Sequence, residues 1–515
     1  MRRGTAMSLA FAFVFVAGTI LSPAQAQKAK DTLRLMATES IEAISYYLDP
    51  KPDTVFQSET VYDGLLSYNL QKGKLEPLLA KSWQRIDPTT LEFELRDNVK
   101  WHDGTPFGAA DVVHTLRWLS DPETMLRFKQ NWSWIDRVEQ VGPHRVRVSA
   151  KQPTPYDLVR FAYVTAILPR HLMGTLKGKE VLGLAPVGTG PYRVVQADSS
   201  KGIILERNKE FHHGNPAKPG NNIGRITIRT VPEAGTRVAH LLAGSADLIQ
   251  QVPLEQAQSL ARDPRFALSV VQGRSFMYVA YDAKGRSGAK PVTDERVRRA
   301  LAMAIDRPAL TEIQAGKAKL RQPEAMCWRD QLGCDYTLPL PPYDPSGAKK
   351  LLAEAGYPNG FDIEITTFVG AVGDIAEAVA GQWYKIGVRA KIDRRTVVSY
   401  RGKQRDGKIQ IMVAAWPSGN IPDVSGTVNT FFIDGPTDYS GDKALHALAS
   451  ESDSTMDADK RREIGRKMFD LATEKVYFYP VAPYPSILVH TKEVSVGPAE
   501  RFTPFGYEVS DIRWK

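Results

Sequence analysis

Residues 100 to 113 read Lys-Trp-His-Asp-Gly-Thr-Pro-Phe-Gly-Ala-Ala-Asp-Val-Val, and the fold turns on whether they form a catalytic loop or a bend between a strand and a helix. His102, Asp103 and Gly104 together could serve as an acid/base pair or as half of a metal site. The flanks point to structure instead. A strand is expected to end near Trp101, and Val112, Leu116 and Leu119 mark one face of a helix beginning near Ala109. Asp and Gly suit the turn between them because they accept backbone geometry that other residues resist. Gly108 falls at the N-cap, with Asp111 three residues on to meet free N–H groups.

The same alternation of strand and helix continues outward. Residues 91–96, Leu-Glu-Phe-Glu-Leu-Arg, and 361–365, Phe-Asp-Ile-Glu-Ile, alternate apolar and charged, the period of a half-buried strand. Val297, Ala300, Leu301, Ala304 and Ile305 form a helical stripe, capped by Thr293 or Asp294. A second helix follows Asp344-Pro345, a good N-cap with proline in the first turn, and ends at Gly356. A third covers about 456–473, with Ile464, Met468, Leu471 and Ala472 as its buried stripe. Such alternation predicts α/β architecture with mixed sheets.

The N-terminus has another character. Arg2 and Arg3 precede an uncharged run from Met7 to Leu21, and Ser-Pro-Ala-Gln-Ala-Gln closes it. A basic start, a short apolar stretch and a small-x-small end make a secretory signal peptide, 1–26, cut after Ala26. The run is short for a hydrocarbon core of about 30 Å. No cysteine lies near this junction, so no lipid anchor is expected and the periplasm is the expected location. Removal leaves 515 less 26, or 489 residues, enough for two or three domains. With 43% hydrophobic and 24% charged residues, large cores can be buried. Basic residues mix with acidic ones, as in Asp459-Lys-Arg-Arg-Glu463, which reads as a solvated face and not as a nucleic-acid stripe. The two cysteines, Cys327 and Cys334, predict one disulfide pinning a short loop, since an exported chain favours oxidation and the spacing is not that of a redox CxxC.

The block Val99-Lys-Trp-His-Asp-Gly-Thr-Pro106 with Ala110-Asp-Val-Val113 resembles the extracytoplasmic solute-binding proteins of peptide and nickel ABC importers, family 5. Other elements of that family stand in order: Tyr62-Asp-Gly-Leu-Leu66, Leu75-Glu-Pro-Leu-Leu-Ala-Lys-Ser-Trp83, Ile167-Leu-Pro-Arg-His171, Val187-Gly-Thr-Gly-Pro-Tyr192, Leu205-Glu-Arg-Asn208, Arg296-Val-Arg-Arg-Ala-Leu301 and Tyr343-Asp-Pro345. The resemblance implies a two-lobed periplasmic-binding-protein clamp of type II-like form with an inserted extra subdomain. Lobe I would comprise 27–59, 187–275 and 484–515, the insert 60–186, and lobe II 276–483. Closure would bury a solute between the lobes, and the closed clamp would dock on permease subunits in the membrane. It implies a monomer with no cofactor, no metal and no catalytic residue. Position in the family nominates Glu39 and Ser40, the segment Arg274-Ser275-Phe276-Met277, and the loop after Trp416 as cleft walls. For Phe276 and Met277 ordinary core packing is the competing reading.

One departure bears on the solute. Peptide-binding members carry an aspartate three residues after the loop tryptophan, where it receives the α-ammonium group; here that position is Gly419. A charge-assisted bond is worth about 1.5–3 kcal/mol, so its loss weakens amine recognition by roughly one to two powers of ten. Asp423 is the candidate replacement, or a turn residue after Pro422. A non-peptide solute such as an opine, an oligosaccharide or a metal chelate therefore stays beside the peptide reading. An exported hydrolase is the alternative of another class, but neither a Gly-x-Ser-x-Gly elbow nor a His-Glu-x-x-His helix occurs. Val187-Gly-Thr-Gly-Pro191 lacks the lysine and spacing of a phosphate loop. His212 and His213 are adjacent, so on a strand they point to opposite faces and rarely share an ion.

Overall fold

The computed structural model describes residues 31–38, 43–45, 47–48, 60–69, 73–126, 128–173, 183–198, 201–211, 222–417, 421–497 and 512–515. The expected signal peptide, Glu39, Ser40, His212, His213 and Gly419 lie outside them. No helix among the described residues is long and apolar enough to cross a membrane.

The turn at 100–108 is held by its own polar groups. Asp103 accepts from the backbone N–H and the hydroxyl of Thr105 at 3.0 and 2.6 Å, and Gly104 takes a left-handed φ of 86°. Helix Ala109–Ser120 follows, with an Asp111 oxygen accepting from the Gly108 N–H at 2.9 Å and the other from Arg170 N–H at 3.0 Å. His102 Nδ1 accepts from Gly188 N–H at 3.2 Å, so Nε2 carries the proton and faces the Gly190 carbonyl at 3.0 Å. Burial depresses its pKa and keeps the ring neutral. The motif thus pins one turn to another. A Cβ on Gly188 would stand 1.9 Å from the Val61 carbonyl oxygen, so only glycine permits this approach.

Sequence position sorts the strands into sheets. The largest runs Phe266–Val271, Ser486–Thr491, Leu248–Gln250, Thr32–Ala37, Arg225–Thr230, Gly202–Arg207, Tyr192–Asp198. Thr32–Ala37 pairs in parallel with both neighbours while the outer strands are antiparallel. An antiparallel four-stranded sheet, Ala80–Asp87, Thr90–Leu95, Arg145–Ala150, Ile135–Gly142, packs into the same apolar cluster as that sheet's Leu33, Leu35 and Ile226. The third sheet runs Arg389–Arg395, Asp362–Phe368, Ile411–Trp416, Phe276–Tyr281, Phe478–Pro483 and is again mixed.

Its central strand, Phe276–Tyr281, has every side chain buried. Because side chains alternate across a strand, Met277, Val279 and Tyr281 enter one core with Val297, Leu301, Val379 and Trp383, while Phe276, Tyr278 and Ala280 enter another with Phe431, Leu445 and Met468. Helices cover both faces. The stripe from Val297 to Ile305 is buried throughout, but helix Glu295–Met303 stops before its end. Asp306 already caps the next helix, Arg307–Ala315, whose second residue is Pro308. Asp294 is the cap that forms, accepting from Arg296 N–H at 2.8 Å. Asp344 caps Pro345–Glu354 and Asp457 caps Ala458–Glu474. Leu471, expected in the buried stripe of the last, is only half-buried.

Candidate functional site

Among the described residues, two segments carry the chain between the largest and the five-stranded sheet: 272–275 and 484–485. They lie side by side, with Tyr484 N–H donating to the Ser275 carbonyl at 3.0 Å. Gln272 is fastened to the Arg321 backbone by bonds of 2.8 and 2.9 Å. This narrow joint places Arg274 between the halves, 2% exposed.

Arg274 Nη2 stands 3.4 Å from Asp330 Oδ2, and Trp328 Nε1 donates to the Arg274 carbonyl at 2.8 Å. Burial pushes the guanidinium down to about 9, opposed by Asp330 and by the phenols of Tyr163 and Tyr68. It remains a cation at neutral pH. Tyr68, from strand Leu66–Asn69, and Tyr163, from helix Asp157–Tyr163, have ring centroids 5.9 Å apart. Burial raises Tyr68, while Arg274 pulls it down and Asp330 and Asp423 push it up. One cation, one acid and two phenols therefore converge from parts distant in sequence.

The wall beyond Arg274 is braced by the disulfide, which Cys327 and Cys334 form. Its loop turns on Gln331, whose side chain accepts from Trp328 N–H at 2.8 Å and reaches the carbonyls of Ile421 and Asp423. Leu332 pairs with the opposite loop in both directions, N–H to Pro422 at 2.9 Å and carbonyl from Val424 at 3.0 Å. Gly465 passes so close that a Cβ there would meet the Gly333 carbonyl at 2.0 Å.

The nominated residues take different positions. Ser275 lies in the joint and is buried. Phe276 and Met277 are fully buried and point into the two separate cores, Phe276 edge-on to Trp328 at 6.0 Å. Trp416 ends strand Ile411–Trp416 half-buried, donating to Thr427 Oγ1 at 2.9 Å and standing edge-on to Phe431 at 4.8 Å. Asp423 is fully buried, and both oxygens are taken by Arg461 at 2.6 and 2.8 Å, with Ser425 N–H adding a third bond at 2.8 Å. Burial alone would raise this carboxyl; Arg461 and Ser425 outweigh it and hold it below the usual carboxylate range. Its charge is already compensated inside the protein. Arg461 departs from the solvated face expected of Asp459–Glu463, being 4% exposed.

Tyr68, Tyr163, Asp330 and Arg461 were not nominated by sequence. Only the Asp-rich, aromatic character of the 327–336 loop hints at one of them. No group of three or more His, Cys, Asp or Glu among the described residues is arranged to hold a metal ion.

The chain matches the model for bacterial extracellular solute-binding proteins, family 5 Middle, over residues 74–439. It is 26% identical over 488 residues to glutathione-binding protein GsiB of Escherichia coli (strain K12), covering 90% of this chain and 92% of that one. Heme-binding protein A of Haemophilus influenzae is 28% identical over 396 residues, 70% of each chain. The crystal structure of a dipeptide binding protein from Pseudoalteromonas sp. SM9913 in complex with Met-Leu superposes with a TM-score of 0.77 at 20% identity, covering 94% of this chain and 100% of the other. The architecture is that of the periplasmic binding proteins, and the chain belongs to the bacterial extracellular solute-binding proteins of family 5, the non-catalytic solute-capturing components of ABC importers.

Proposed function

We propose that the chain captures a peptide or peptide-like solute bearing a free carboxylate and delivers it to a membrane permease. Arg274 carries the reading. A guanidinium buried at the joint between two halves suits a carboxylate, because its planar fork donates two parallel bonds and loses little by leaving water. Tyr68 and Tyr163 add phenols beside it, and Trp416 offers an aromatic wall on the five-stranded half. A mostly apolar cleft with few fixed polar groups is how such sites orient small solutes. The likeness to a glutathione-binding protein supports the class, glutathione being a tripeptide with two carboxylates.

In this reading lobe I takes in 27–59, 187–275 and 484–515, the segment 60–186 is inserted into it, and 276–483 forms lobe II. The lobes close about the paired crossings at 272–275 and 484–485. The chain works in the periplasm after loss of residues 1–26. Asp423, committed to Arg461, serves the loop and not the solute's amine.

The test is recovery of cargo. Protein purified without added solute is denatured, the released molecules are identified by mass spectrometry, and titration calorimetry follows with glutathione, Met-Leu and their methyl esters. Free acids bind, and esterification weakens binding by roughly 10- to 100-fold, the worth of a charge-assisted bond. Equal binding of acids and esters, or recovery of haem, an opine, a sugar or a metal chelate as sole cargo, overturns the peptide reading.

A further inference from the structure

A second cluster, built on Tyr156, also joins the halves. Tyr156 lies just before helix Asp157–Tyr163, in the part that carries the four-stranded sheet, and is buried. Its ring stacks under Arg160, with the guanidinium 4.2 Å from the centroid, and the Arg461 guanidinium approaches from the opposite half to 5.8 Å. Asn429, on helix Ser425–Phe431, stands close enough to the Tyr156 hydroxyl and the Asp453 carboxyl to act on both. Asp453 ends near the C-terminus of helix Lys443–Ser454, and its Oδ1 is closed off from solvent with no hydrogen-bond partner. Ile421, from the loop that ends in Asp423, is packed into the core cluster of the other half. The approach of Arg461, Asn429 and Asp453 to Tyr156, and the seat of Ile421, exist only while the halves are together.

We propose that Tyr156 and Asp453 are positioning residues for solute capture, a latch that holds the closed form. The inference rests on the hinged closure proposed above and on no particular solute.

The electrostatics give the direction. Asp453 faces Arg461 and, behind it, Asp423 from its own half, and Arg160 and Tyr156 from the other. Arg461 is already matched by the bidentate Asp423, so its charge is largely spent. Burial therefore dominates and lifts the Asp453 carboxyl to about 7, with Asp423 pushing the same way and Arg461 and Arg160 opposing. Opening the halves removes Tyr156 and Arg160 and returns Asp453 to water, where an aspartate titrates near 3.9. The closed form thus binds the proton more tightly, so closure is favoured as pH falls below about 7 and loses this support as pH rises through it. With those two values the closed-to-open ratio rises roughly 30-fold between pH 8 and pH 5.5.

The experiment is single-molecule energy transfer on solute-free full-length protein, with dyes on Arg137→Cys and Lys467→Cys. Both positions are exposed, 65% and 58% at the side chain, and lie on different halves. The expected result is a closed population that grows as pH drops, and no pH response in Asp453→Asn. Tyr156→Phe, which loses only the hydroxyl, lowers the closed population at every pH and keeps the slope. It also serves should Asp453→Asn fail to fold. A wild-type ratio that is flat or falls on acidification overturns the proposal. So does an Asp453→Asn protein that keeps the full response, or a Tyr156→Phe protein that matches wild type. No solute enters the measurement, so a wrong ligand class cannot produce these failures.

Discussion

Opening the Cys327–Cys334 bridge should loosen both the half built on the five-stranded sheet and the proposed solute wall. The bridge links residues seven apart in sequence, closing a loop of eight counting both ends. Loop-closure entropy for eight residues is about 2.5 kcal/mol, withheld from the unfolded chain while the bond is intact. For a cooperative unit of about 200 residues, each kcal/mol shifts Tm by roughly 2–4 °C, so a loss of roughly 5–10 °C follows. Both cysteines are buried, so reduction must be driven under mild denaturant, and Cys327→Ser/Cys334→Ser provides the same state without it. The loop also carries Asp330 to Arg274 and pairs Leu332 with residues 422–424. Solute affinity should therefore fall in the double variant at temperatures where it is still folded. Thermal and urea unfolding by circular dichroism measure the first effect, and calorimetry with recovered cargo measures the second. Identical midpoints for bridged and unbridged protein would refute the assignment of the loop as a brace.

Two further outcomes follow from buried charge. Asp423→Asn strands the Arg461 guanidinium in the interior and should cost about 3–5 kcal/mol in urea unfolding, whereas Asp423→Leu/Arg461→Met, which removes both charges, should cost distinctly less; equal losses would deny the pair its internal role. His102, neutral when folded and depressed by burial, lends stability that is complete above its unfolded pKa of about 6.5 and is lost as pH falls through the lower folded value. His102→Gln should therefore flatten the acid side of the stability curve below about pH 6.5 while lowering its plateau, and an unchanged acid slope would count against the Gly188–His102–Gly190 arrangement.

Local chemistry was the legible part. Asp294 and Asp344 cap helices that the sequence announced, and 102–104 was legible as a turn, though its bonds to Gly188, Gly190 and His171 were not. Phe276 and Met277 could be read as core residues, yet nothing in the run from Phe276 to Tyr281 says that alternate side chains serve separate cores. The helix at 295 ended early because Asp306 and Pro308 outside its stripe began another. What sequence hid is tertiary. Arg461 sits among charged neighbours and looks solvated; its partner Asp423 is 38 residues away. Tyr68 and Tyr163 reach Arg274 from a part of the chain that has no periodic relation to it. Ser275 and Trp416 stand at the joint and at a strand end, where position in a family can point but periodicity cannot.

The paired crossings at 272–275 and 484–485, cross-linked by the Tyr484–Ser275 bond, have a mechanical meaning. A joint only a few peptides long has few torsions to turn, and the close-packed bodies on either side cannot flex to share the motion. In the closure proposed above, the work the solute performs in drawing them together would surface as a swing of one solid against another. A transporter in the membrane could feel that swing at a distance, much as a lock feels the turn of a key without touching its teeth.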